Sequence, residues 1–275
     1  MDVEPAASVV IGDSLVRRDV VQRVYFAFGP MLQTLRSCRP VVAADATFMT
    51  GSFPSMLYVI VGKDANNHLV PAAFMLAWSA ERMSDWKPFL EKFKPLMPHV
   101  TVCISDAAKG LLEAIEQVGW RQSRCVRHMY GNMRTSGITR GVSETQVCNL
   151  AKLCSKADFD YVVGKIKDEN PDAALFLQAH AHEYSAVTFL PDHPRFGDAL
   201  NNAAECFNSI LVRETAGQRR VKDMGWVSVI TALRRHMHKW HTERYGAPCC
   251  FQVLARLILV TLALCGVTGC ELAGV

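Results

Sequence analysis

The apolar positions of the chain fall into two rhythms, and the change from one to the other divides it. Short apolar runs bounded by turn residues predict strands at 41–47, 55–64, 68–78, 99–106 and 122–128. Ala65, Asn66 and Asn67 supply turn chemistry between the second and third, which are read as an antiparallel hairpin. Apolar residues at helical spacing predict a helix over 14–35, broken at Gly29–Pro30. A second helix is expected over 85–97, where Trp86, Phe89, Leu90, Phe93 and Met97 recur on one face; Ser84 is its N-cap and Pro88 falls in its tolerant first turn. A third, 108–118, turns Leu111, Leu112, Ile115 and Val118 inward.

Strand character then disappears. Helical patterns cover 143–154, 156–168 and 172–182, followed by 202–214 and 226–244. The order predicts an α/β fold, a mixed sheet flanked by helices with an all-helical insertion before the last helices. The expected divisions are an N-terminal helical segment (1–36), the first part of the core (37–128), the insertion (129–200), the last core helices (201–245) and an apolar tail (246–275). A structureless loop as long as the insertion would be implausible inside a compact domain. It therefore needs its own core, expected from Val147, Leu150, Cys154, Phe159, Val162, Val163, Ile166, Leu175 and Phe176.

Half of the residues are hydrophobic and a fifth are charged, which supports a sizeable core and argues against long disorder. The net charge of +4 says less than its distribution. Residues 121–140 carry five arginines and no acid, and 211–244 carry eight Arg or Lys against three acids, a local balance of 8 − 3 = +5. Two basic stretches in a nearly balanced chain point to a polyanion; the bland alternative is two solvated helix faces. The ten cysteines lack the spacing of a disulfide framework and the N-terminus lacks signal-peptide character, so reduced thiols in an intracellular protein are expected. The uncharged run 257–270, 14 residues long, falls short of a spanning helix, and a membrane partner is not expected.

Asp45 closes the apolar run Val41–Ala44, and Asp106 closes the later strand. If these strands are neighbours, their ends bring two carboxylates together. At about 4 Å these repel by about 1 kcal/mol in water and about 4 kcal/mol at an effective dielectric of 20. A proton or a hard divalent cation would relieve the repulsion. Glu205, among Ala203, Ala204, Cys206 and Phe207, is a third acid in apolar company, with Glu81 and Glu113 as competitors. Cys125 and His128 have metal-ligand spacing, but a structural zinc needs four ligands. A packed thiol and a site-adjacent histidine are the preferred reading, with zinc the weaker one.

Four segments in order resemble the catalytic domain of Mutator-like element (MULE) transposases. "DATF" at Asp45, with the hairpin and the Glu81–Trp86 helix start behind it, is similar to that family's first acidic segment. "SDAAKGLLEAI" at Asp106 resembles the second. "CVRH", Cys125–His128, resembles its C-x-x-H element, and "NNAAECFNS" its segment with the third acid. The resemblance covers roughly residues 25–244. It implies a ribonuclease-H-like core with a D-D-E triad at Asp45, Asp106 and Glu205, two Mg²⁺ or Mn²⁺ ions, and double-stranded DNA at transposon ends as partner. It also implies phosphodiester hydrolysis and strand transfer in the nucleus, a homo-oligomer among the assemblies, and no small-molecule substrate. Arg121, Arg124, Arg127, Arg134, Arg234, Arg235 and Lys239 would contact DNA phosphates. The family's zinc modules are not visible in the sequence, so a domesticated or decayed transposase that binds or regulates DNA without cutting it is the alternative.

Overall fold

A computed structural model of the chain describes residues 2–4, 8–11, 14–17, 20–51, 54–78, 81–106, 110–189, 192, 194–212 and 220–246. The apolar tail lies outside them. The strands are β1 (Asp2–Glu4), β2 (Ser8–Ile11), β3 (Ser14–Arg17), β4 (Val20–Ala27), β5 (Val41–Met49), β6 (Ser55–Lys63), β7 (Leu69–Ala77), β8 (Val102–Ser105) and β9 (Arg121–Arg124). The first core helices are α1 (Gly29–Leu35), α2 (Met83–Phe93) and α3 (Leu111–Gln117). Helices α4 (Val126–Thr135), α5 (Glu144–Leu150), α6 (Lys156–Glu169), α7 (Pro171–Ala179), α8 (Ala181–Tyr184) and α9 (Ala186–Phe189) follow, and then α10 (Asn202–Val212) and α11 (Trp226–Tyr245).

Seven strands form one sheet in the order β1-β4-β7-β6-β5-β8-β9, and β2 pairs with β3 apart from it. β5, β6 and β7 form an antiparallel meander, while β8 and β9 add to β5 in parallel. This mixed sheet, covered by helices, is consistent with a ribonuclease-H-like fold.

The expected N-terminal helix over 14–35 is overturned. Val20–Ala27 is a strand, antiparallel to β7, and the helix begins only at Gly29. Alternating Val24 and Phe26 are buried, and Phe26 stacks on Phe74 at 5.1 Å. An edge of the meander was open to a partner strand, and pairing with it outweighed a helical pattern that Gly29–Pro30 already interrupted. The strand expected over 122–128 ends at Arg124, because Cys125 becomes the N-cap of α4. The insertion's helices therefore begin at Val126.

Residues paired directly across neighbouring strands share a face of the sheet. Tyr58 faces Met75, and Val59 faces Phe74. Tyr58 meets Trp86 edge-to-face at 4.7 Å, so α2 covers the first face with Trp86, Phe89 and Phe93. Phe74 meets Phe207 at 5.7 Å, so α10 covers the second. The insertion has a separate core of Val126, Met129, Met133, Val147, Leu150, Phe159, Val163, Ile166, Ala173, Ala174, Leu177 and Tyr184. In α7 the phase differs from expectation: Ala173, Ala174 and Leu177 face inward, Phe176 is partly buried, and Leu175 is 68 % exposed. The larger side chain did not decide the phase, because small alanines let α7 sit close to α6. Cys154 is likewise exposed rather than in the core.

Gly110 precedes α3 at φ +85°, and a Cβ there would run into the backbone of Met83 at the start of α2. Left-handed backbone costs an L-residue about 1–2 kcal/mol before any clash is counted. Gly110→Ala is expected to destabilise the fold by at least that much in chemical denaturation. Gly164→Ala, in α6 with open space around its Cβ position, should stabilise or be neutral.

Candidate active site

Asp45 lies on the α10 face of the sheet, because it pairs with Val59, which pairs with Phe74. Val41, Val42 and Ala43 pair with Val102, Cys103 and Ile104, an offset of 61 residues. Continued two residues past the last pair, the same offset would set Asp45 beside Asp106, one residue beyond β8, and the charge of Asp106 does act on Asp45. Adjacent strands lie about 4.8 Å apart, so parallel register alone would set the two aspartates side by side.

Helix α10 grips this edge with two amides. Asn201 Nδ2 donates to the Ala44 carbonyl at 3.2 Å, and Asn208 Nδ2 donates to Asp45 Oδ2 at 2.8 Å. Positions three and four apart share a helix face, so Glu205, four after Asn201 and three before Asn208, lies on the gripping stripe. Both amides stand in "NNAAECFNS" at helical spacing from Glu205; the sequence offers Asn201 as an N-cap of this helix, but its hold on the strand edge and that of Asn208 are legible only in the fold. The backbone N–H of Ala46 adds a bond to Asp45 Oδ1 at 3.0 Å.

Burial is the largest cause pushing the Asp45 carboxyl up to about 7, and the charge of Asp106 is next; the bonds from Ala46 and Asn208 oppose them, and the Glu205 charge adds to the rise. Asp106 and Glu205 thus both lie within electrostatic reach of Asp45. Of the competing acids, Glu81 accepts a bond from Trp86 Nε1 at 2.8 Å; burial raises its pKa and the Asp106 charge adds to this, so it borders the same cluster. Glu113 is occupied on the exposed side of α3 with Gln117.

Glu205 itself leans toward α4. Its Oε2 is 3.4 Å from Arg127 Nη1, and its Oε1 is 3.6 Å from His128 Nδ1. Cys125 is fully buried, and its Sγ accepts the Asn201 N–H at 3.2 Å. Burial raises the Cys125 pKa. The C-x-x-H pair therefore adjoins the third acid directly.

The proposed phosphate-binding arginines divide. Arg121 donates to the Thr188 carbonyl at 2.9 Å and lies over the Phe189 ring; Arg124 pairs with Glu183 at 2.9 Å. Both tie β9 to α8 and α9, where the insertion supplies part-buried acceptors for their guanidinium groups. Arg127 is shared between Glu144 and Glu205. Arg134 is exposed near the end of α4. On α11, Val229, Leu233, Met237 and His241 are buried, whereas Arg235 and Lys239 are exposed and Arg234 is half-buried.

No helix among the described residues is long and apolar enough to cross a membrane. Comparison with curated proteins gave no match. Residues 41–132 match the family model of the MULE transposase domain; this third of the chain contains Asp45, Asp106, Cys125 and His128, and Glu205 lies beyond it. Over these residues the chain is similar to the MULE transposase domain, a likeness that points to a transposase function and, in general terms, a DNA substrate.

Proposed function

We propose that the chain is the catalytic core of a DNA transposase, with Asp45, Asp106 and Glu205 as its acidic triad, acting in the nucleus on duplex DNA at transposon ends. The observation that carries this reading is the register of β5 and β8, which aligns Asp45 with Asp106 on the face gripped by α10. The Asp45 carboxyl, raised first by burial and then by Asp106, has no cation paired with it among the described residues, and the Asn208 Oδ1 beside it is a buried acceptor without a hydrogen-bond partner among them. Such an acceptor-only cluster fits hard divalent cations, magnesium or manganese. When bound, they supply nucleophile activation and neutralisation of phosphoryl charge.

The chain's own part is positioning. β5 and β8 hold two carboxylates rigidly at strand ends. Asn208 fixes the orientation of Asp45, and Asn201 fixes the height of α10 on the sheet. Exposed cations of α4 and α11 attract the phosphate backbone, so that water and then a DNA 3′-hydroxyl can be presented to the scissile bond. The DNA-binding reading without catalysis is favoured by one feature: the Glu205 carboxylate is turned toward Arg127 and His128 of α4.

Incubation of the chain with labelled duplex DNA decides between them. Cleavage is expected with Mn²⁺ or Mg²⁺, none with EDTA, and none with Asp106→Asn. Duplex binding without cleavage in wild type would establish the non-catalytic reading instead.

Phosphate contacts give affinity but little sequence information. Each neutralised phosphate adds about −0.9 to the slope of log K against log salt. Replacing Arg234 and Arg235 together by Ala is therefore expected to flatten that slope by roughly one to two units and to weaken all duplexes alike. An unchanged slope would place this face of α11 away from DNA.

A further inference from the structure

We propose that Cys125, His128 and Glu205 form a second metal site, for a borderline-soft ion of the zinc type, which shares Glu205 with the acidic triad but takes its other two ligands, Cys125 and His128, from outside it. One ligand atom from each of the three residues lies within 4.8 Å of the other two. Ligands bound at 2.0–2.3 Å in a tetrahedral array stand roughly 3.3–3.8 Å apart. His128 Nδ1 and Glu205 Oε1 are 3.6 Å apart, too long for a hydrogen bond and right for two ligands of one ion. Both atoms are shut off from solvent without a hydrogen-bond partner among the described residues, a desolvation cost that an ion between them removes.

The sulfur is prepared for the same role. Cys125 is the N-cap of α4, a ten-residue helix. Its Sγ receives the Asn201 N–H at 3.2 Å. An ion bound here would displace the thiol proton, since the thiolate is the form that binds metal. A donor set of sulfur, nitrogen and one carboxylate oxygen suits zinc-type ions and not magnesium, which takes oxygen. Arg127, 3.4 Å from the other Glu205 oxygen, is also paired with Glu144, so its charge is shared. Three protein ligands leave the fourth position open to an exchangeable ligand. The ligand set does not depend on the catalytic reading; the consequence does, because an ion here would fix which way the Glu205 carboxylate faces.

The test uses the full chain, stripped of metal and titrated with Co²⁺ as a coloured stand-in for zinc. Expected are a thiolate-to-cobalt charge-transfer band and intense four-coordinate bands, saturating near one ion per chain, displaced by Zn²⁺ and not by Mg²⁺. Cys125→Ser should abolish the charge-transfer band, and His128→Ala should weaken Co²⁺ binding at least about tenfold. His128 is 42 % exposed, so that variant folds even if Cys125→Ser does not. Cys154→Ser and Asp45→Asn should leave the spectrum intact, which separates this site from the acid pair. A missing charge-transfer band in wild type, or Co²⁺ affinity unchanged in His128→Ala, would overturn the proposal; a spectrum lost equally in Asp45→Asn would do so by merging the two sites.

Discussion

Asp45→Asn is expected to abolish metal-dependent cleavage, with a loss of about 10²-fold or more for one electrostatic contact to the reacting phosphate, and yet to stabilise the metal-free fold. The carboxyl of Asp45 rises from 3.8 to about 7 on folding, chiefly through burial and then through Asp106. A folded-state pKa above the unfolded one means that the folded chain binds the proton more tightly. Stability is therefore lost as pH climbs from about 4 to about 7. Each unit corresponds to about 1.4 kcal/mol, so the loss approaches about 4 kcal/mol as an order of magnitude. The amide carries no charge, and its oxygen can still accept the bond from Asn208. In EDTA, urea denaturation across that pH window should show the decline in wild type and not in the variant. Added Mg²⁺ or Mn²⁺ should restore stability to wild type alone. A metal-induced rise in melting temperature that survives both Asp45→Asn and Asp106→Asn would refute the assignment.

Phe207→Ala should be the most damaging single truncation in α10. The ring is 1 % exposed and lies between Phe74 of β7 at 5.7 Å and Trp240 of α11 at 6.3 Å. Emptying such a position costs about 3–5 kcal/mol in lost burial and residual cavity, equivalent to a fall in melting temperature on the order of 10 °C. The same helix carries Glu205 and Asn208 and starts just after Asn201, so metal affinity should fall with stability. Leu175→Ala is the control. At 68 % exposure it should change stability by no more than about 0.5 kcal/mol, whereas the periodicity of α7 taken alone places it inside. A large loss for Leu175→Ala would mean that α7 packs in the other phase.

The chain pattern determined what depends on neighbours in sequence. The meander of β5, β6 and β7 follows from three apolar runs and one turn at 65–67, and the Trp86–Phe93 stripe is buried as its spacing requires. The insertion's helices at 144–150 and 156–169 follow from capping serines, Ser143 and Ser155, before apolar repeats. That two strands end in aspartate, and that an acid stands in an apolar helix start, was also legible.

Tertiary structure decided the rest, because those outcomes depend on partners distant in sequence. Val20–Ala27 became a strand through pairing with β7, about 50 residues away. Cys125 ended β9 by capping α4 and receiving the Asn201 N–H across 76 residues. Arg121 and Arg124 look like DNA-facing cations in sequence, and their guanidinium groups meet acceptors that only the folded insertion supplies. The 61-residue offset that aligns Asp45 with Asp106 comes from the β5–β8 register, which a parallel crossover sets and no local motif encodes. Residue types and their order thus named the acids; strand register and the amides of α10 gave them a common face, since each of those contacts joins segments that meet only in the folded chain.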